Sequence, residues 1–321
     1  MSEITAHVLT RVLELACRAP SVQNTQPWQW RVAGNATLEL FTDPTRQLLV
    51  SDPDGRNLAI SCGAALHHAV TAAEALGLAA QVTLTSPDSD QVAEIHMARG
   101  DAARGSRATL SSLEDRYTDR RRFTAWPVPD GRLLELSAAA SGWGAYAVPL
   151  NGRVERSRIK LIMGRARSIQ AADPRLVSEQ RQWVNHGPDD GIPEQDASPP
   201  SDGRAIQQPT RHQPDSLDTE PELVKSTEGL LALCTAGDDR TSWVRAGQSL
   251  SALWLAAHRV GLSVVPLSQA IEVVETRRAL REEVFHGGLR PQLLVRVGWQ
   301  QIGRATLART PRRPLAEVLI G

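Results

Sequence analysis

Between Ile4 and Ala19 the apolar residues Val8, Val12, Leu15 and Ala19 recur at the three- and four-residue spacing of one helical face, and Pro20 limits that helix. Two extended runs follow, Trp28–Val32 and Thr37–Phe41, joined through Gly34-Asn35, which reads as a hairpin. A long helix is predicted from Arg56 to Leu76, opening after Asp54-Gly55 and stopping at Gly77. Asp52, Asp54 and Arg56 read as its entry, with a cap and a salt-bridged turn. Strands are predicted near Gln81–Thr85 and Val92–Met97. Further on, the pattern gives a helix over Val154–Ala172, a strand at Leu230–Thr235 and a short strand at Ser263–Val265. A helix over Glu272–Phe285 and a strand at Gln292–Val297 complete the series.

The pattern repeats. GAALHHAVTAAEALGL (Gly63 to Leu78) matches GQSLSALWLAAHRVGL (Gly247 to Leu262) without gaps, so that Gly63, Leu66, Ala72, Ala73, Gly77 and Leu78 recur 184 positions later. Upstream, RVLELACRA (Arg11 to Ala19) matches RLLELSAAAS (Arg132 to Ser141) at an offset of about 121. Two matches in the same order, each followed by a strand-like run, point to internal duplication. The division expected is a first repeat over 1–104 and a second over 105–321.

The offsets differ by about 63 residues, so the second repeat holds an insertion of that size between Ser141 and Gly247. Within it, His186 to Pro221 has seven prolines, many Asp, and neither Trp nor Phe. Such a stretch cannot bury an apolar face and is expected as loop, disorder or a lid over a site.

Composition narrows the function classes. The 321 residues, 41% hydrophobic and 22% charged, suit one large or two medium domains of an ordinary globular protein. Lys+Arg and Asp+Glu both total 36, and this balance argues against a general nucleic-acid or membrane-surface binder. Cys17, Cys62 and Cys234 have no metal-ligand spacing, and a sparse, odd set suggests reduced thiols and a cytoplasmic location. The acid-bearing start MSEITAHVLTRVLEL does not read as a signal peptide, and no run approaches the roughly 20 apolar residues of a membrane span.

Four stretches carry candidate chemistry. APSVQNTQPW (Ala19 to Trp28) places a proline, a hydroxyl and two amides in one turn, which serves a planar polar ligand or simply stops a helix. DRYTDRRRF (Asp115 to Phe123) alternates Arg116, Thr118 and Arg120, so an extended chain points them one way, toward a phosphate or as a solvated basic turn. GLSVVPLSQA (Gly261 to Ala270) follows the repeated helix. TPRRPLAEVL (Thr310 to Leu319) reads by itself as a tail with a basic turn.

Taken in order, these stretches resemble the FMN-dependent nitroreductase family, in its fused two-repeat type found in Acg-like mycobacterial proteins. The resemblance spans nearly the whole chain outside the insertion. It implies an α+β nitroreductase-like fold, two halves packed as an intrachain pseudo-dimer around one FMN site. It implies that Pro20, Ser21, Asn24 and Gln26 reach the flavin from the first half. Arg116, Thr118 and Arg312 would hold its phosphate, and Arg120 would stand near N1 and O2 of the ring, where a cation suits the charge of a reduced flavin. Pro266, Leu267, Ser268 and Gln269 would run beside the ring. Ser268 and Gln269 replace the family's common Glu-Gly, and Thr310 stands where a Lys is usual. NAD(P)H is the electron donor so implied, with nitroaromatic or quinone-like acceptors. The other reading of the same resemblance is an FMN-holding protein with a covered flavin and little reductase activity. A monomer or loose homodimer is expected, with no nucleic-acid or membrane partner.

The amide-rich motif occurs only in the first half and the phosphate motifs only in the second, which points to one complete site per chain. Gly142-x-Gly144-x-x-Ala147 imitates a dinucleotide fingerprint but lies between a helix and a strand, the reverse of the required order. His67-His68, adjacent on a helix, are expected on different faces and not as a metal pair. No side chain is singled out as an obligatory acid or base.

Overall fold

The computed structural model describes residues 4–101, 105–121, 123–184, 186–193, 228–300 and 309–321. In the first half, helix α1 (Ala6–Ala16) leads into the hairpin β1 (Trp28–Ala33) and β2 (Thr37–Thr42). Helix α2 (Arg56–Ala75) then leads into the hairpin β3 (Leu78–Leu84) and β4 (Gln91–Arg99). The second half repeats this order with α4 (Asp130–Ser141), β5 (Tyr146–Pro149), β6 (Gly229–Thr235), α7 (Arg240–Arg259), β7 (Leu262–Leu267) and β8 (Arg290–Trp299). Each half forms one antiparallel four-stranded sheet, in the orders β1-β2-β4-β3 and β5-β6-β8-β7. Each sheet also breaks register at the matching place, between Leu40 and Phe41 and between Leu233 and Cys234.

Helices α2 and α7 pack along each other between the sheets, and small residues allow it. A Cβ on Gly63 would overlap the Val244 carbonyl, and a Cβ on Gly247 would overlap the Ile60 carbonyl. Val244 lies as far beyond Ile60 as Gly247 lies beyond Gly63, so the contact is reciprocal, as across a two-fold axis. The adjacent histidines are buried in this seam. Contrary to the expectation of different faces, both reach one hydroxyl, with Nδ1 of His67 and of His68 at 2.7 and 2.8 Å from Ser251 Oγ. The helix backbone carries both rings onto the partner helix, and burial lowers the pKa of His67 to about 3 and that of His68 well below its usual value.

The elements foreseen from periodicity are present with small shifts at their ends. Helix α3 (Ser106–Asp115) was not foreseen, because only Ser112 and Leu113 are buried and no apolar stripe shows. It packs against both α2 and α7. The single helix expected over Glu272–Phe285 is broken into Gln269–Glu272, Val274–Ala279 and a π-turn, Leu280–Val284. Val273 is extended at the break, where two β-branched residues adjoin and Thr276 Oγ1 donates to the Ala270 and Val273 carbonyls at 2.9 and 3.1 Å. The insertion falls between β5 and β6 and contains α5 (Arg153–Ala172) and α6 (Pro174–Gln182). Of the stretch 186–221, residues 194–221 lie outside the described residues.

The C-terminus crosses back to the first half, where Leu319 bridges to Trp30 and Ile320 N–H donates to the Trp30 carbonyl at 2.8 Å. Among the described residues no helix is long and apolar enough to cross a membrane. The three cysteines are free and buried, and burial pushes each thiol up to about 12.

Candidate functional site

Asp52 opens α2 as the sequence suggested: its carboxylate accepts from the Asn57 and Leu58 N–H groups at 3.0 and 2.9 Å. Arg56 departs from the expected local salt bridge. It reaches across to the second half, to Asp238 Oδ1 at 2.5 Å and to the Gln292 amide. The N-terminal turn of α2 is thereby held against β8, and a cleft opens beside it.

The cleft has a volume of about 1020 Å3, its open mouth included. The first half contributes Pro20, Ser21, Val22 and Gln23 from the loop after α1, with Asn57, Ile60 and Ser61 from α2. The second half contributes Thr118 and Arg120, Leu250 and Trp254 of α7, Val265 through Gln269 at and beyond the end of β7, and Leu293 and Arg296 of β8. Eight of the residues singled out from the sequence therefore come together here: Pro20, Ser21, Thr118, Arg120, Pro266, Leu267, Ser268 and Gln269.

The loop after α1 is fixed by hydroxyls. Ser21 Oγ accepts from the Gln26 N–H at 2.9 Å, and Ser61 Oγ accepts from the Val22 N–H at 3.1 Å. Gln23, Asn24 and Gln26 all adopt positive φ, which non-glycine residues hold only when their surroundings enforce it.

The remaining four candidates do not line the cleft. Asn24 Nδ2 donates to the Gly191 and Pro311 carbonyls at 2.9 and 3.1 Å, and Gln26 Nε2 donates to the Asp189 carbonyl at 2.9 Å. Both amides thus grip the part of the insertion that follows α6 and the C-terminal segment. Arg46 pairs with Asp190, His186 stacks on Trp183 with ring centroids 4.3 Å apart, and Ile192 completes the cleft wall.

Arg116 and Arg312 lie buried behind Pro20 and Trp254. The Nη2 atoms of both donate to the Arg18 carbonyl, at 2.8 and 3.3 Å, and the Arg116 guanidinium lies 4.6 Å over the Trp254 ring. Arg116 Nε and Nη1 and Arg312 Nε have no hydrogen-bond partner, and neither arginine has a carboxylate partner among the described residues. Burial, then repulsion from Arg312 and from Arg18, lowers the Arg116 pKa well below its usual value. Burial and Arg18 lower that of Arg312 to about 10. Two like charges are thus held together with three guanidinium nitrogens unpartnered, while Arg312 Nη1 donates to Asn24 Oδ1 at 3.0 Å.

The nitroreductase family matches residues 113–299, more than half of the chain. The chain belongs to the nitroreductase family. The Mycobacterium tuberculosis protein named "Putative NAD(P)H nitroreductase Rv3131" is similar to it at 38% identity over 98% of this chain and 91% of that protein. "Putative NAD(P)H nitroreductase acg", from the same organism, is 31% identical over 98% of this chain and 96% of that protein. Among solved structures, the FMN-dependent nitroreductase NfnB from Mycobacterium smegmatis, in complex with NADPH, matches with a TM-score of 0.41 and 15% identity over 66% of this chain and 96% of that chain.

In this nitroreductase-family chain several cleft residues escaped the sequence reading. Gln23 stood unread inside a motif that was singled out. Asn57 and Ser61 belong to α2, where they resemble any polar residues near a helix start. Arg296, buried in β8, is held by Glu228 at 2.9 and 2.6 Å and sits 5.1 Å from the Phe123 ring. No spacing signals a charged pair in an apolar strand.

Proposed function

We propose that the cleft holds one FMN, phosphate toward Arg116 and Arg312, and that the chain is a flavin-dependent oxidoreductase. The observation that carries this reading is the pair of buried guanidiniums that share the Arg18 carbonyl and keep unpartnered N–H groups without a counter-charge. A phosphate dianion supplies both the charge and the acceptors that they lack. Thr118 and Arg120 continue from Arg116 along the cleft wall, which Arg296, paired with Glu228, also lines, and no carboxylate is among the lining residues. FMN, when bound, supplies the redox chemistry between NAD(P)H and an acceptor of the nitroaromatic or quinone class. The chain's own part is to bind, to orient and to set the local charge. Pro266 through Gln269 form one wall, and Pro20 through Gln23 face it from the other half. The repeated strand order, the paired register breaks and the reciprocal glycines support division into two duplicated halves, near 1–104 and 105–321, that share this one cleft.

Ile192 favours a second reading, in which the flavin is held but nicotinamide reaches it slowly. This residue of the insertion is almost fully buried and lines the cleft, held there through the grip of Asn24 on Gly191. Anaerobic mixing of FMN-loaded protein with NADPH separates the two: rapid bleaching supports the reductase, and none supports the holding protein.

The binding reading itself is tested by Arg116→Ala and Arg312→Ala. Each variant is expected to lose about 1.5–3 kcal/mol of FMN affinity while riboflavin binding stays nearly unchanged. Equal losses for both flavins would remove the phosphate from this site.

A further inference from the structure

Three carboxamides lie on the cleft wall, and two of them are spoken for. Asn57 Nδ2 donates to Glu272 Oε1 at 3.1 Å, and Glu272 is fixed in turn by Gln170 Nε2 at 2.7 Å. Gln269 Nε2 reaches Gln170 Oε1 at 3.4 Å. Gln23 differs. It is 4% exposed, and neither Oε1 nor Nε2 has a hydrogen-bond partner. Its backbone sits at φ 46° and ψ 23°, in the left-handed region that disfavours any side chain with a Cβ. The fold therefore sustains two local costs at one residue on the cleft: a strained backbone and a buried amide with both ends unmet.

The cause is not slack in the loop. Val22 N–H is tied to Ser61 Oγ at 3.1 Å, Gln26 N–H to Ser21 Oγ at 2.9 Å, and Asn24 Nδ2 to the Gly191 carbonyl at 2.9 Å. Residues on either side of Gln23 are pinned, while its own amide is left without a bond. An apolar residue of like size would suit the same enclosure better.

We propose that Gln23 is a specificity-determining residue that reads the edge of a planar imide or carboxamide in the cleft. Its side chain offers an acceptor beside a donor. The complement is a donor beside an acceptor: an N–H flanked by a carbonyl. Two ligands of a flavin oxidoreductase present that edge, the flavin's own pyrimidine at N3–H with its adjoining carbonyl, and the carboxamide of nicotinamide. The proposal rests on the reading of the cleft as the flavin site.

The test compares the wild type with Gln23→Leu, which keeps the bulk and removes both polar atoms. Binding of FMN and of N3-methyl-FMN is followed by flavin fluorescence quenching. Binding of a redox-inert reduced nicotinamide, 1,4,5,6-tetrahydro-NADPH, is followed by its perturbation of the flavin spectrum. If Gln23 reads the flavin, the wild type binds N3-methyl-FMN roughly tenfold more weakly than FMN, and Gln23→Leu erases the difference. If it reads nicotinamide, the two flavins respond alike, and the variant binds the tetrahydro cofactor roughly tenfold more weakly. In both cases the ligand-free variant unfolds at the wild-type temperature or above it, since two unmet buried groups are gone. Unchanged affinity for all three ligands overturns the proposal, as does a sharp fall in the Tm of ligand-free Gln23→Leu, which would mark the amide as a structural bond. Failure of the wild type to bind FMN at all would instead overturn the flavin reading on which the proposal stands.

Discussion

The two ends of the α2–α7 pair occupy matching positions in the two halves, yet they differ. At one end, Asn57, Ile60, Ser268 and Gln269 border a cleft of about 1020 Å3, its mouth included. At the other, the residues at the same 184-position offset are Thr241, Val244, Leu84 and Thr85. They border a hollow of about 220 Å3, measured the same way. The helices are the same length and meet through reciprocal glycines, so the difference arises in what is hung on them. Between β7 and β8 the chain inserts helical turns over 269–284, whereas β3 and β4 are joined by a short turn. The loop after α1 runs through Ser21 to Gln26, but after α4 only Gly142 to Ala145 precede the strand, and Trp143 packs edge-on against His67 at 4.4 Å. The connections create the site, and the scaffold only offers two places for it.

The strictest test of the comparison is the scaffold itself. Gly63→Ala and Gly247→Ala each drive a Cβ into a backbone carbonyl of the partner helix, where no side chain can yield. Each is expected to cost about 3–5 kcal/mol in urea unfolding, and the two losses should be similar. A variant that unfolds like the wild type while the other collapses would show that the two-fold relation is lost at the seam.

The entries of the two helices offer a second contrast. Asp52 caps α2 from a buried position, and burial, opposed by its two backbone bonds, raises its pKa to about 6, with Glu272 nearby adding to the rise. A carboxyl whose folded pKa lies above its ordinary value of 3.8 binds its proton more tightly in the folded state. Its contribution is therefore fully present below that value and is lost as pH rises through about 6. Relative to Asp52→Asn, the wild type should lose on the order of 2–3 kcal/mol of stability between pH 4 and pH 7. Asp239 caps α7 through the Ser242 N–H at 2.7 Å, and Asp239→Asn gauges the loss of a cap's charge with its acceptor kept. Parallel pH profiles for wild type and Asp52→Asn would exclude a buried titration at α2.

The repeat was legible because it rests on positions that cannot vary freely. Gly63 and Gly247 are required by the helix seam, and the residues around them recur with them. The cleft was legible where residue types were distinctive: Arg116, Thr118 and Arg120 alternate, and Pro20-Ser21 ends a helix. What escaped depends on relations between distant parts of the chain. The partnership of Arg56 with Asp238 spans the halves, and the grip of Asn24 and Gln26 on residues 189–191 joins a motif to an insertion whose polar sequence left loop, disorder and lid all open. Helix α3 escaped for a local reason, since a helix with two buried residues has no stripe to read.

The smallest expected effect concerns Arg240, which occupies the mate of the cleft. Its guanidinium donates to the Pro87 carbonyl at 3.0 Å, to the Ser89 carbonyl and to Thr42 Oγ1 at 3.3 Å, and so ties α7 to the β3–β4 turn. These bonds are partly exposed, and Arg240→Ala should cost only about 1 kcal/mol. If the hollow is small merely because Arg240 fills it, the variant should take up a second flavin. The comparison argues otherwise. The mate has no counterpart of Thr118 and Arg120 on its wall, and Arg240, which borders it, is bonded to the Pro87 and Ser89 carbonyls and to Thr42. Emptying it removes an obstruction without supplying a phosphate site or a ring-binding segment. Flavin released from denatured protein, divided by chain concentration, is expected to stay near one for wild type and variant alike. A ratio that rises toward two in Arg240→Ala would mean that a side chain, and not the missing loops, had silenced the second site.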